Sequence, residues 1–332
     1  DYADVLNWYK WTGTYWEISS TELPNDASDL FILSNAEAGL CIDEDHIAEI
    51  TGSLSSITIG EAAEADLNGI VQLSGDIDNG GIINGLTNSE LRLMGTMSQN
   101  IAGGGTYQFY NLNVSNGTNS VVLNDPITVM NLLDMKGGIL ENGNRVITIG
   151  SGSLNPGSIA YTSGVITGKL KRYFANATGS KLFPVGNSSF LRDATIDFNF
   201  SSPGINQFLT VSFEEGVPQD GNGGGMLTNG LPIVMSGLNI IDFSDAGYWE
   251  IEPTNGDYSS SICFPNYTIT LHMNEIADIS DINYTRILKS SGSNTASLNH
   301  VEWSGLNAVS SIGSISDFEI TSITNGFSYF AA

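Results

Sequence analysis

Leu112-Asn-Val114, Ile127-Thr-Val129 and Ile147-Thr-Ile149 are short apolar–polar–apolar triplets, separated by Asn116-Gly117-Thr118-Asn119 and Glu141-Asn142-Gly143-Asn144. Alternation with period two marks a strand with one buried face. Gly and Asn tolerate positive φ, which a chain needs where it changes direction. The same unit recurs upstream as Ile57-Thr-Ile59, Val71-Gln-Leu73 and Leu91-Arg-Leu93, with Asp78-Asn79-Gly80-Gly81 as a further turn. The steps between triplets scatter around roughly 18 residues, a length that fits one coil of a solenoid. A single coil cannot bury its apolar residues, but stacking the next coil on it makes a continuous core. Stacked Asn side chains would also satisfy backbone groups between coils. An antiparallel meander is the competing reading, because Asn-Gly equally closes a hairpin. A repeating period, over coils longer than a hairpin needs, favours the parallel β-helix.

Solenoid ends expose unpaired strand edges and need caps. Residues 1–50 gather Tyr2, Trp8, Tyr9, Trp11, Tyr15 and Trp16, then Leu30-Phe31-Ile32-Leu33, and hold three of the five tryptophans. This segment is expected to be the N-terminal cap, with residues 51–185 as the solenoid. From residue 186 to 332 the strands lengthen, as in Ala194-Thr-Ile-Asp-Phe-Asn-Phe200, Phe208-Leu-Thr-Val-Ser-Phe213, Gly247-Tyr-Trp-Glu-Ile251 and Tyr267-Thr-Ile-Thr-Leu271. Such strands, apolar on one face, predict an antiparallel β-sandwich. The expected fold class is therefore all-β: a capped parallel β-helix followed by a sandwich.

Composition narrows the function. Charged residues are only 14% of the 332, and 38 glycines accompany abundant Asn, Ser and Thr. That is the surface of a secreted β-protein rather than of a cytosolic helical one. Eleven basic residues face 36 acidic ones, for a net charge of −25. Nucleic-acid binding needs a Lys/Arg surface to neutralise phosphates, and an anionic membrane repels this chain. No apolar run approaches the ~20 residues of a membrane helix. With no basic-then-apolar segment at Asp1, the sequence reads as a processed, soluble chain. Lys169, Lys171, Arg172, Lys181 and Arg192 crowd one stretch. They read as scattered solvated charges or as one of two complementary ends for head-to-tail association.

Catalytic chemistry finds little footing. His46, His272 and His300 come with no nucleophile elbow, and a triad needs nucleophile, His and acid together. Asp76, Asp78, Asp125, Asp134 and Glu141 lie in the solenoid, but nothing in the sequence brings a particular pair together. Cys41 and Cys263 fit no zinc or redox spacing and read as separate thiols. Asp220, Asn222 and Asp257, in Gly-rich stretches, are calcium candidates, without the full loop pattern of a calcium hand. No other cofactor is expected. The aromatic residues Trp8, Tyr9, Trp11, Tyr15 and Trp16 are candidates for a cap, then a subunit interface, then a glycan-stacking platform.

Several patterns resemble one known group of proteins. They are the opening with Trp11, Trp16 and Leu23-Pro24; Leu91-Arg-Leu-Met-Gly-Thr-Met-Ser-Gln-Asn-Ile-Ala-Gly103 followed by Phe109-Tyr-Asn-Leu-Asn-Val114; Leu133-Asp-Met-Lys-Gly-Gly-Ile-Leu140 followed by Val146-Ile-Thr-Ile149; Phe183-Pro-Val-Gly186; and Gly247-Tyr-Trp-Glu-Ile251. Together they resemble the β-helix and β-sandwich regions of large surface proteins of the Bacteroidota exported by the type IX secretion system. The resemblance implies an extracellular, cell-surface location and an adhesin, surface-layer or matrix role. The sequence reading is thus a non-catalytic structural or adhesive surface protein that assembles with itself or with other surface components. The alternative is a carbohydrate-binding or polysaccharide-active module on the same scaffold.

Overall fold

The computed structural model of the chain describes residues 9–11, 16–18, 29–32, 47–54, 56–61, 63–175, 178–198, 207–216, 233–235, 238–241, 244–253, 266–276, 279, 281–290, 303–306, 308–314, 316–324, 327 and 329–331. Among these residues the protein is all-β. The chain divides into two compact units, one of residues 1–150 with 157–164, the other of 151–156 with 165–332.

The first unit is a parallel β-helix of about 5 turns. Three strand faces build each coil, and each face repeats the sequence alternation. On one face Val71, Leu91, Leu112, Leu133 and Ile159 stand in register, and beside them Leu73, Leu93, Val114, Met135 and Tyr161. Val71, Leu112, Val114, Leu133 and Met135 are fully buried. A second face stacks Ala65, Ile83 and Tyr107, and a third stacks Ile57, Ile77, Ile101 and Leu123. Like aliphatics about 4.8 Å apart fill the interior, each burial contributing about 1.5–3 kcal/mol.

Backbone pairing runs almost without a break around the coils. Thr106–Leu123 and Ile127–Ile149 are single strands of 18 and 23 residues whose register shifts at the corners. Where coils approach closely, only glycine fits. Gly103 has φ +120°, and a Cβ there would lie 2.4 Å from the Asn79 nitrogen.

Register also sharpens the repeat. The Asn113–Asp134 contact spans 21 residues from one coil to the next, and Gln108–Asn84 spans 24. The triplets identified in the sequence are all coil strands, but they sit on three different faces, so their average spacing falls short of the coil length. Coil pairing also begins earlier than residue 51: Asp29–Ile32 pairs in parallel with Ser56–Ile59, and Ile47–Leu54 with Glu64–Leu73. Tyr9–Trp11 and Trp16–Ile18 form an antiparallel pair with Trp11 opposite Trp16.

The second unit is antiparallel and takes in residues 165–185, which the sequence reading gave to the solenoid. In one sheet Val165–Tyr173 pairs with Phe208–Glu214, which pairs with Tyr248–Pro253 and then Tyr329–Ala331. The other sheet runs Ser180–Phe183, Ala194–Asp197, Tyr267–Asn274, Asp317–Thr324, Ala308–Ser314. Inward residues of both sheets, among them Leu170, Val211, Ile251, Phe183, Ile196, Ile269 and Ile320, are fully buried. The indole N–H of Trp249, in the first sheet, donates to the Arg192 carbonyl beside the second at 2.6 Å. Phe174, Phe198, Tyr267 and Phe327 form an aromatic chain through the core, ending in a stacked pair at 4.6 Å.

Candidate functional site

Outward positions of the solenoid carry polar residues because every second residue of each strand faces away from the core. Stacking brings those residues into columns. Asn84 donates to Asp66 at 2.9 Å, and Gln108 donates to Asn84 at 3.4 Å on the same column. Asn131 donates to Asn111 at 2.8 Å, and Asn124 to Asn100 at 2.6 Å. Asn113 donates to Asp134 at 3.0 Å, and Lys136 lies 3.1 Å from the same carboxylate. Arg92 pairs with Glu90 at 2.9 Å on its own strand.

At the corners the amides turn inward. Gln99, 2% exposed, accepts from the Gly95 N–H and donates to the Leu73 and Gly75 carbonyls. Buried Asn79 accepts from the Gly81 N–H and donates to the Thr106 carbonyl. These bonds satisfy backbone groups that a corner leaves without ladder partners.

The acids singled out in the sequence are distributed, not paired. Asp76 accepts from the Asn100 N–H, Asp125 from the Gly104 N–H, and Glu141 from the Ser120 hydroxyl. Asp134 belongs to the ladder above, and Asp78 is exposed in the column of Thr58 and Ala102.

Among the described residues, the most concentrated titratable cluster lies in the second unit. His272 sits on Tyr267–Asn274, Asp193 directly precedes Ala194–Asp197 on one side, and Asp317 opens Asp317–Thr324 on the other. The ring Nδ1–H donates to Asp193 at 2.7 Å and Nε2–H to Asp317 at 2.6 Å. The His272 backbone N–H adds a bond to the Asp193 carbonyl at 3.0 Å. The Asp193 hydrogen bond raises the imidazole to about 9, burial opposes it, and Asp317 adds to it. The ring is an imidazolium at neutral pH. With both nitrogens donating to carboxylates, it has no lone pair to take a proton or bind a metal. It acts as an ionic clasp across three strands.

A second cluster surrounds Lys169, 3.9 Å from Glu250 and 4.0 Å from Glu252. Burial raises the Glu250 carboxyl above its ordinary value against the pull of Lys169, and the Tyr329 hydroxyl donates to it at 3.3 Å. The other basic residues of the sequence cluster meet different fates. Lys171 lies over the Phe208 ring at 3.8 Å, Arg192 donates to Asn274, and Arg172 is buried.

Among the described residues no group of three or more His, Cys, Asp or Glu is arranged to hold a metal ion. Asp220, Asn222, Asp257, Trp8, Tyr15, Cys41, Cys263, His46 and His300 lie outside the described residues; Tyr9, Trp11 and Trp16 are described only in their backbone pairing. No local spacing in the sequence joins His272 to its two partners, which are 79 and 45 residues away. No protein-family model matches the chain, and no curated protein or solved structure is significantly similar to it.

Proposed function

We propose that this chain is an extracellular structural or adhesive surface protein, working without catalysis and able to serve as a repeating subunit of a fibre or surface layer. The observation that carries this reading is the use made of polar side chains on the solenoid. Asn, Gln and Asp residues tie coil to coil through in-register ladders. The His272 imidazole likewise fastens strands together. Chemistry of this kind confers rigidity. The Ser-, Thr- and Asn-rich acidic composition and the likeness to type IX-exported surface proteins support the location. Its partners in this reading are further copies or other surface components.

Negative-stain electron microscopy of native material from the cell surface or culture supernatant tests the assembly. Regular filaments or sheets are the expected result. Dispersed particles, together with a purified protein that stays monomeric at high concentration across salt and calcium conditions, would remove assembly from the reading. A carbohydrate-binding role is the second reading, supported by the half-buried Asn84 and Gln108, which present amide groups on neighbouring coils. A glycan array without hits would dispose of it.

A further inference from the structure

Val165–Tyr173 alternates so that Leu170 and Arg172 face the interior of the second unit while Lys169, Lys171 and Tyr173 face out. Arg172 is 4% exposed. Its guanidinium donates to the Leu182 carbonyl and lies 5.8 Å from the Phe183 ring. Its Nε is buried and has no acceptor, and among the described residues no carboxylate lies within ion-pair distance of it. Asp197, on the neighbouring strand, lies on the side of Thr195, opposite buried Ala194 and Ile196. A buried cation ordinarily has a partner, because removing a charge from water is costly. In a chain of net charge −25, a guanidinium buried with no carboxylate beside it among the described residues is an anomaly that asks for an anion.

The surroundings supply a second cation and an exposed strand edge. Ser180–Phe183 is the outer strand of its sheet among the described residues, and its alternation turns Lys181 to the same side as buried Phe183. Thr178, Gly179 and Ser180 are exposed. Gly179 falls on the side of Lys181 and Phe183, and a Cβ built there would meet nothing within 4 Å. Lys181 is partly exposed, and burial together with the nearby Arg172 charge lowers its ammonium to about 8. An inward lysine on an outer strand also discourages edge-to-edge pairing. That role calls for a solvated cation and leaves the buried, acceptor-less Nε of Arg172 without explanation.

We propose that Arg172 and Lys181 form a binding site for a small oxyanion, entered beside the exposed Thr178-Gly179-Ser180 edge, in which the Arg172 Nε–H and the Lys181 ammonium donate to the anion's oxygens. Phosphate, sulfate and the carboxylate of an acidic sugar share this chemistry. A planar guanidinium edge beside a point charge matches adjacent oxygens on any of them. The site is independent of the surface-protein reading and stands or falls separately from it.

Isothermal titration of the full chain with inorganic phosphate, sulfate and glucuronate, at fixed ionic strength in chloride, tests the proposal. One saturable site is expected, with Lys181→Gln weakening it several-fold and Arg172→Gln by at least about tenfold. Competition between phosphate and glucuronate would show the shared site, and saturation by glucuronate alone would assign the source to an acidic sugar. Bound anion also raises the Lys181 pKa, so affinity falls as pH climbs through about 8. Lys181→Gln lies at a half-exposed edge position and keeps the test valid if Arg172→Gln does not fold. No saturable binding to the native chain, or equal binding to wild type and Lys181→Gln with no fall in affinity through that pH range, would overturn the site.

Discussion

The two units of this protein solve the same problem, holding β-strands together, by opposite means. The solenoid uses side-chain amides that donate to one another or to carboxylates one coil apart, as in Asn131–Asn111 at a separation of 20 residues. The sandwich uses charged and aromatic contacts between distant segments, such as Arg192–Asn274 at 82 residues and His272–Asp193 at 79. In the first case each coil needs only its neighbours, and stability is close to a sum over adjacent interfaces. In the second, no strand is secure until segments far apart in the chain have met, which ties it to slower, non-local folding.

The largest test of that contrast is Leu112→Ala. Leu112 is fully buried in the middle of its column, and truncation leaves a cavity that the stacked coils cannot close. The loss is about 3 kcal/mol by denaturant unfolding. Hydrogen exchange should quicken around Leu91 and Leu133, the in-register neighbours, while Ile269 and Ile320 in the second unit keep their protection. Loss of protection throughout both units would break the nearest-neighbour picture.

A smaller effect is expected from His272→Gln. The folded imidazole sits at about 9 against an ordinary 6.5, so its contribution is fully present below about pH 6.5 and is lost as pH rises through about 9. Because Asp317 is largely exposed, the contribution is discounted to about 1–2 kcal/mol. Thermal unfolding of the two proteins should therefore differ most at mildly acidic pH and converge above about 9. A difference that does not change with pH would mean that the clasp is not ionic. The smallest effect belongs to Asn131→Ala, which removes one outward rung and costs about 0.5 kcal/mol. A loss several times larger would show that the outer ladders couple along the whole solenoid.

These contrasts also explain what the sequence could reveal. Alternation in Val71-Gln-Leu73 or Leu112-Asn-Val114 reports which residues face inward, and that sufficed for an all-β solenoid with a second, sandwich-like unit. It does not report which strand lies alongside. Val165–Tyr173 alternates like a coil strand yet pairs antiparallel with Phe208–Glu214, so alternation alone overextends the solenoid. The triplets recur roughly 18 residues apart because Ile57, Val71 and Ile127 start triplets on three different faces, while residues on one face recur about every 21. The His272 clasp was illegible for a related reason: its acids arrive through sheet pairing, without local spacing. Arg172 did carry a signal, since it follows the inward Leu170 by two.

The in-register coils have an evolutionary corollary. A coil that touches only the one before and the one after is a removable unit, and genes lengthen by duplication. Copying the roughly 21 residues between Asn113 and Asp134 would insert one more layer with every column still in phase. An insertion of arbitrary length would turn inward side chains out at the next strand. Length in such a protein is a dial that selection can turn in whole coils.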